Sequence, residues 1–348
     1  MEKEDLISIV IPVYKVEKYL RRSMDSLVNQ TLDGVEIICI NDGSPDNSLN
    51  ILKEYKEKYP DKHIVIIGRQ NEGTWKGRLD GIAKATGEYI GFVDSDDYVA
   101  LDYAEKLYNA AKSSNADITV CGFKRVNSET GNAYSTEMNQ FAGKIIDMDK
   151  NPEDILSINT ALWNKLCKTE LVKNIRILPK NPKIFEDMIC ILLIYMNTKK
   201  ITFIEDSLYY YMVRPDSTMG TIKKEYVEST QNALLEVKKI YAKENATKEL
   251  LSVIDAMAFI HLGVSLMIKV SEDKTSNFKE ELKKSEKYLN ENFPTWKTTQ
   301  YLNLFYCLKH KCNVKPAIIR IIYKLRLFRP FINVYNFMIN KLKVDIKW

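Results

Sequence analysis

Apolar positions in the first 125 residues keep two alternating rhythms. Leu6–Val13 is a β-branched run and predicts a buried strand; Leu20, Met24, Leu27 and Val28 then recur at helical spacing. The alternation continues with a strand over Val35–Ile40. A helix follows with Ile51, Leu52, Tyr55 and Tyr59 on one face, and Asp46 or Ser48 as its cap. Next come a strand over Ile64–Ile67, a helix marked by Trp75, Leu79, Ile82 and Ala83, and a strand over Tyr89–Val93. A helix marked by Ala104, Leu107, Tyr108 and Ala111 precedes a fifth strand over Ile118–Phe123. Continuous apolar strands alternating with helices predict an α/β fold, a mostly parallel sheet covered on both faces. Ligands of such sheets bind beyond the carboxyl ends of the strands, so the residues just after each strand are the informative ones.

Beyond this region the rhythm changes. Residues from about 126 to 150 are polar, include Gly131 and Gly143, and read as a loop or short hairpin. Helices and short strands return from about 153 to 212. From 222 to about 310 the pattern is helical and rich in Lys and Glu, and Pro316 precedes a last basic, apolar-rich stretch.

Composition narrows the class. The 348 residues are 45% hydrophobic and 28% charged, which supports a large core and excludes a disordered or fibrous chain. Net charge is +5, unevenly spread. Residues 309–348 hold ten Lys/Arg against Asp345 alone, a surplus of +9 that leaves −4 for residues 1–308. A near-neutral body with a basic tail suits a local anionic partner rather than nucleic acid. The six cysteines include no CxxC pair, and Cys39, Cys121 and Cys190 sit in apolar runs, as buried thiols do in a reducing compartment. The stretch Met1 to Asp5 carries both charge signs and does not resemble a signal peptide. No apolar run is read as approaching the ~20 residues that span a bilayer. A cytoplasmic location is therefore expected.

Candidate chemistry lies at the strand ends. In extended chain, residues i and i+2 point the same way, so Asp94 and Asp96 of Asp94-Ser95-Asp96-Asp97 can face one site while Asp97 turns aside. Such a pair suits a hard divalent cation holding a diphosphate; the same residues also suit a capped turn. After the second strand, Asp42 of Asn41-Asp42-Gly43-Ser44 can accept hydrogen bonds from a base or ribose, or close an Asx-turn. Tyr14 ends the first strand and Glu17 opens the next helix, as pocket lining or as core packing and a helix start. Asn71-Glu72-Gly73 follows the third strand, and Arg78 can pair with phosphate or a base carbonyl, or lie on a solvated helix surface.

The order of these pieces resembles the family 2 glycosyltransferases. It is carried by Ser8-Ile-Val-Ile-Pro-Val-Tyr14, Asn41-Asp-Gly-Ser44, Asn71-Glu-Gly73, Arg78-x-x-Gly81-Ile82, Gly87-Glu-Tyr-Ile90 and Phe92-Val-Asp-Ser-Asp-Asp97. It resumes at Trp163-Asn-Lys-Leu166, Glu186-Asp187 and Tyr209-Tyr-Tyr-x-x-Arg214-x-x-Ser217. One departure is Leu79, where the family commonly has Asn after the arginine.

The resemblance implies a GT-A fold over residues 1–220, with a nucleotide-binding half over 1–100 and an acceptor-binding half over 101–220, and a helical region over 221–348. It implies an inverting transfer of a sugar from a nucleotide-diphospho-sugar, usually UDP-linked, to a hydroxyl of a glycan or lipid-linked acceptor. Asp94 and Asp96 would form the metal and ribose site, Asp96 coming first as a direct ligand of Mn²⁺ or Mg²⁺. Asp42 and Arg78 would contact the base, and Pro12, Tyr14 and Glu17 would line its pocket; Asn71, Gly73, Ser95 and Glu186 would be further substrate-binding positions. Asp187, beside Glu186 at a helix N-terminus that favours an ionised carboxylate, would be the catalytic base. Arg214 and Ser217 lie where the family often has a loop closing on the pyrophosphate.

A non-catalytic module of the same fold would leave these filled acidic positions unexplained. A sugar nucleotidyltransferase would call for a Gly-rich basic loop after the first strand, where residues 14–19 contain no Gly. In the tail, Ile318, Ile319, Ile321, Ile322, Leu325, Leu327 and Phe328 interleave with Arg320, Lys324, Arg326 and Arg329, and Phe331, Ile332, Tyr335, Phe337, Met338 and Ile339 follow. That pattern suits an in-plane helix at the inner face of an anionic membrane, a helix packed on the protein's own core, or a homodimer contact.

Overall fold

The computed structural model describes residues 5–175, 178, 181–214, 224–273 and 277–342. The chain divides into two units. The first comprises residues 1–150 and 159–217; the second comprises 151–158 and 218–348.

The first unit is built on a ten-stranded sheet. Its opening elements are β1 (Ile7–Val13), α1 (Glu17–Val28), β2 (Val35–Asn41), α2 (Ser48–Lys58), β3 (His63–Gly68), α3 (Thr74–Lys84), β4 (Tyr89–Phe92), β5 (Tyr98–Val99), α4 (Tyr103–Ser114) and β6 (Ile118–Asn127). There follow β7 (Ala133–Glu137), β8 (Ile145–Asp147), β9 (Lys165–Lys168), α5 (Thr169–Lys173), α6 (Glu186–Tyr195) and β10 (Lys200–Val213). The strand order is β3-β2-β1-β4-β9-β6-β10-β5, with β7 on β6 and β8 on β10. The polar 126–150 region thus supplies a hairpin strand and an edge strand.

β3, β2, β1 and β4 are all parallel. Beyond β4 the sheet is mixed, because β9 runs antiparallel to both β4 and β6 while β6 and β10 are parallel. This reversal has a functional consequence. The start of β9, with Gly91 paired to Leu166, lies at the carboxyl end of β4, so Trp163 and Asn164 arrive at the carboxyl rim of the parallel strands. The core beneath is the β-branched face of β1 (Ile7, Ile9, Ile11, Val13) packed with Leu20, Met24 and Leu27 of α1 and Leu52 of α2, all essentially without solvent exposure. Burying apolar area of this kind is the main stabilising contribution, about 25 cal/mol per Å².

The second unit is helical: α7 (Lys224–Lys243), α8 (Lys248–Ala258), α9 (Leu266–Glu272), α10 (Phe278–Asn292), α11 (Leu304–Lys309), α12 (Lys315–Lys324) and α13 (Phe328–Leu342). A π-helical stretch, Phe259–Ser265, joins α8 to α9 without a break. This corrects the expectation that no stretch is long and apolar enough to cross a bilayer: Lys248–Glu272 is, by length and composition. It packs as a core helix, with 72% of its most apolar window buried. Within it, Asp255 is buried against Lys238 Nζ at 2.6 Å and accepts from the amide and hydroxyl of Thr295 at 3.0 and 2.7 Å. That pairing explains how an acid sits in so apolar a run.

Candidate active site

The Asp-rich loop is anchored from behind. After β4, Val93 donates its amide to the Val10 carbonyl, and the chain turns so that the Asp97 amide bonds the Asp94 carbonyl at 3.0 Å. Asp97 points inward. Its Oδ1 accepts from the Met212 amide and its Oδ2 from the Tyr209 hydroxyl, each at 2.7 Å. The same hydroxyl accepts from the Asp94 amide at 3.1 Å. The Trp163 ring stacks on Tyr209 and Tyr211, with centroids 4.4 and 5.5 Å away. Burial, with Asp96 and Asp94 nearby, pushes the Asp97 carboxyl up, and the two donors pull against that shift.

Tyr209 therefore ties the motif of β10 to the loop bearing Asp94 and Asp96. Tyr209→Phe leaves one carboxylate oxygen and one amide unpaired in a buried site. The expected cost is about 1–3 kcal/mol, measured by urea unfolding. A stability equal to wild type would show that water replaces the hydroxyl.

Two arginines face the outward acids. Arg78 of α3, only 4% exposed, reaches Asp94 Oδ1 with Nη2 at 3.3 Å and Asp187 Oδ1 with Nη1 at 2.5 Å. Among the described residues its buried Nε has no hydrogen-bond partner. Burial works against the Arg78 charge, but Asp187 and Asp94 more than offset it and hold its pKa above the ordinary arginine value. α3 can lie close enough for this contact because Gly81, one turn after Arg78, rests on Val10, where a Cβ would collide. Asp187 and Glu186 occupy the first turn of α6, after Phe185 in the left-handed region at φ 54°. Arg214, at the end of β10, pairs with Asp96 Oδ2 at 2.6 Å and lies over the Tyr19 ring.

Asp94, Asp96, Asp187, Arg78 and Arg214 are thus drawn together at the carboxyl rim. Burial pushes the Asp94 carboxyl up to about 7; Arg78 opposes the shift, and Asp187 and Asp96 add to it. Burial likewise raises Glu186.

Pro12, Tyr14, Glu17, Asp42, Asn71 and Gly73 occupy the β1–β3 end of the same rim. Asp42 is buried, and its two oxygens accept from the amides of Glu72 and Gly73 at 3.1 and 2.8 Å. Its third partner, Arg69 Nε at 3.0 Å, also bridges Glu72 and Asp80. Gly43 is required here: at φ +70° it passes the Asn71 amide with room for no more than 3.1 Å to a Cβ. Gly73, at φ +92°, caps α3. Asn71 is exposed, Pro12 partly buried, Ser95 buried, and Tyr14 48% exposed.

Glu17 is engaged in capping. Its carboxylate accepts the Asn47 amide at 2.9 Å, while Asp46 Oδ2 accepts the Glu17 amide at 3.0 Å and Oδ1 that of Ser48 at 3.1 Å. Helices α1 and α2 thus exchange N-terminal caps. The partners of Arg78 are Asp94 and Asp187, not Asp42, which places its charge at the acid cluster. Ser217 lies outside the described residues.

Three participants were not singled out from the sequence. Arg69 carried no signal beyond following a strand. The Tyr209 hydroxyl lay in a recognised motif without an assigned role. Lys165 is fully buried and donates to four oxygens on Asn159, Ala161 and Asn164 at 2.7–2.9 Å, holding the turn before β9.

The model of glycosyl transferase family 2 matches residues 8–174. The uncharacterized glycosyltransferase EpsJ of Bacillus subtilis is 30% identical over 258 residues, 71% of this chain and 74% of that protein. The chain belongs to glycosyl transferase family 2. A second relative, the poly(ribitol-phosphate) beta-glucosyltransferase of Bacillus spizizenii, is 39% identical over 215 residues, 60% of this chain and 32% of that protein. The chain spans about a third, or less, of the length of several curated relatives it matches. Among solved structures, S. aureus TarS 1-349 in complex with UDP-GlcNAc superposes with a TM-score of 0.66 at 20% identity, covering 84% of this chain and 83% of that one. That likeness shows the fold, which is GT-A.

The family 2 site can be tested for a cation by its donor set. Asp94 and Asp96 offer hard oxygens, and each already faces one arginine. Among the described residues, three ligand atoms close enough to share one ion occur only at Asp5, Glu36 and His63, on the opposite, amino-terminal rim of β1–β3. Two carboxylates without a closed cage suit Mg²⁺ or Mn²⁺, which are commonly held by one or two carboxylates plus substrate phosphates and water. The residues fit the ion.

Proposed function

We propose that this family 2 member is an inverting glycosyltransferase. It moves a hexosyl or N-acetylhexosaminyl group from a UDP-sugar to a hydroxyl of a glycan or lipid-linked acceptor of the cell envelope, at the cytoplasmic side. The observation that supports this most is Arg78, gripped between Asp94 and Asp187. One guanidinium links the acid of the diphosphate end to the carboxylate that would take the acceptor's proton. The UDP donor draws on TarS, solved with UDP-GlcNAc. The envelope acceptor draws on the poly(ribitol-phosphate) relative.

In this reading Asp96 and Asp94 would hold a divalent ion, which would supply Lewis-acid stabilisation of the leaving diphosphate. Arg214 swings its charge from Asp96 to the phosphates, and Arg78 offers its spare donor to them. Tyr14, Pro12, Asp42, Asn71 and Gly73 position the base and ribose, with Ser95 behind the ribose. Asp187, oriented by Arg78, accepts the acceptor's hydroxyl proton, and direct displacement inverts the anomeric carbon.

A panel of UDP- and GDP-sugars with Mn²⁺, read by nucleotide release, tests the proposal. A UDP-sugar is expected to turn over, and excess chelator to stop it. Preference for a GDP-sugar would overturn the donor; full turnover in chelator would overturn the metal. No release from any donor, with an acceptor panel present, would favour the non-catalytic module.

A further inference from the structure

We propose that the last three helices, α11 to α13, bind the surface of an anionic lipid bilayer. Of the twelve exposed large apolar side chains among the described residues, eight fall between Phe305 and Phe337. They form stripes. On α12, Ile318, Ile321 and Leu325 stand outward at helical spacing with Ile322 beside them; on α13, Val334 and Phe337 follow Pro330 on one face. α11 adds Phe305 and Leu308, one turn apart.

One position of α12 runs against the usual polarity. Its inner face buries Ala317, Ile319 and Tyr323 but also Arg320, which donates to the carbonyls of Thr299 at 2.8 Å and of Trp296 and Lys297 at 3.5 Å, while Ile318 and Ile321 face out. A helix whose outer face met only water would be expected to do the reverse. A stripe of branched aliphatics exposed in this way marks a docking face.

Charge identifies the occupant. Between residues 305 and 337 there are no acids, and six cations are exposed around the stripes: Lys309, Lys311, Lys315, Lys324, Arg326 and Arg329. A second copy of this chain would bring six like charges against six, and protein interface cores are depleted in lysine. An anionic headgroup layer over acyl chains complements both the cations and the stripe between them.

The test needs no substrate, so it stands or falls apart from the transferase reading. The full chain is floated with vesicles of phosphatidylglycerol and phosphatidylcholine, and with phosphatidylcholine alone. Binding is expected to the former, about tenfold weaker to the latter, and weakened by salt. Ile318→Ser/Ile321→Ser/Leu325→Ser is expected to reduce binding about tenfold. Lys324→Glu/Arg326→Glu/Arg329→Glu does the same through charge alone and decides the matter should the serine variant fail to fold. The proposal is overturned if wild type ignores anionic vesicles, if either folded variant binds as well as wild type, or if light scattering shows a dimer that the serine variant dissolves while vesicles are ignored.

Discussion

Asp187→Asn is expected to lower sugar transfer by about 10²–10⁴-fold, the usual contribution of a positioned proton acceptor, while UDP binds nearly as before. The amide keeps the shape of the carboxylate but cannot take a proton. Arg78 would keep Asp94 as a partner, so the cluster loses one charge without losing its frame. Steady-state rates with the best donor give the first quantity; calorimetric titration with UDP and Mn²⁺ gives the second. Glu186→Gln serves as the comparison, because Glu186 is the adjacent acid in the same helical turn. Near-normal turnover in Asp187→Asn would remove that residue from the base role, and a collapse confined to Glu186→Gln would transfer the role to its neighbour.

Arg78→Met is expected to destabilise the first unit strongly. It removes the cation between Asp94 and Asp187 and leaves those acids, with Glu186, facing one another in a poorly solvated place. Breaking a buried pair on one side typically costs about 3–5 kcal/mol. Urea unfolding of the full chain measures it. Added Mn²⁺ should restore more stability to this variant than to wild type, since a cation held by Asp94 and Asp96 would supply part of the missing charge. A variant as stable as wild type would mean that solvent already screens the three carboxylates.

The parallel strands β1 to β4 were legible because each is a short, continuous apolar run, and a strand buried on both faces needs nothing else to announce it. Asp94 and Asp96 were legible as outward neighbours because side chains alternate in extended chain. What the pattern could not convey is partnership across long sequence separations. Glu17 and Asp46 exchange caps over 29 or 30 positions, so Glu17, an acid that reads as pocket lining, also caps the neighbouring helix α2. For Arg78 the helical pattern left both a phosphate or base contact and a solvated surface open; its burial depends on the close seating of Gly81 on Val10, a contact between distant segments. The apolar stretch through α8 and α9 was under-read because Asp255 and His261 interrupt it, and the partner that admits Asp255, Lys238, belongs to another helix. The antiparallel entry of β9 follows a polar segment without periodicity, so the arrival of Trp163 at the rim had no local signature.

Residues 151–158 belong with the helical unit although the sheet continues on either side of them. The polypeptide therefore changes allegiance three times, at 150/151, 158/159 and 217/218. A gene fragment stopping at residue 217 would carry eight residues stranded from the body they help to build, with Ile155 and Ile158 among their buried side chains. The two units of this chain are interlaced in the reading frame, and neither can be lent to a chimera by a single cut.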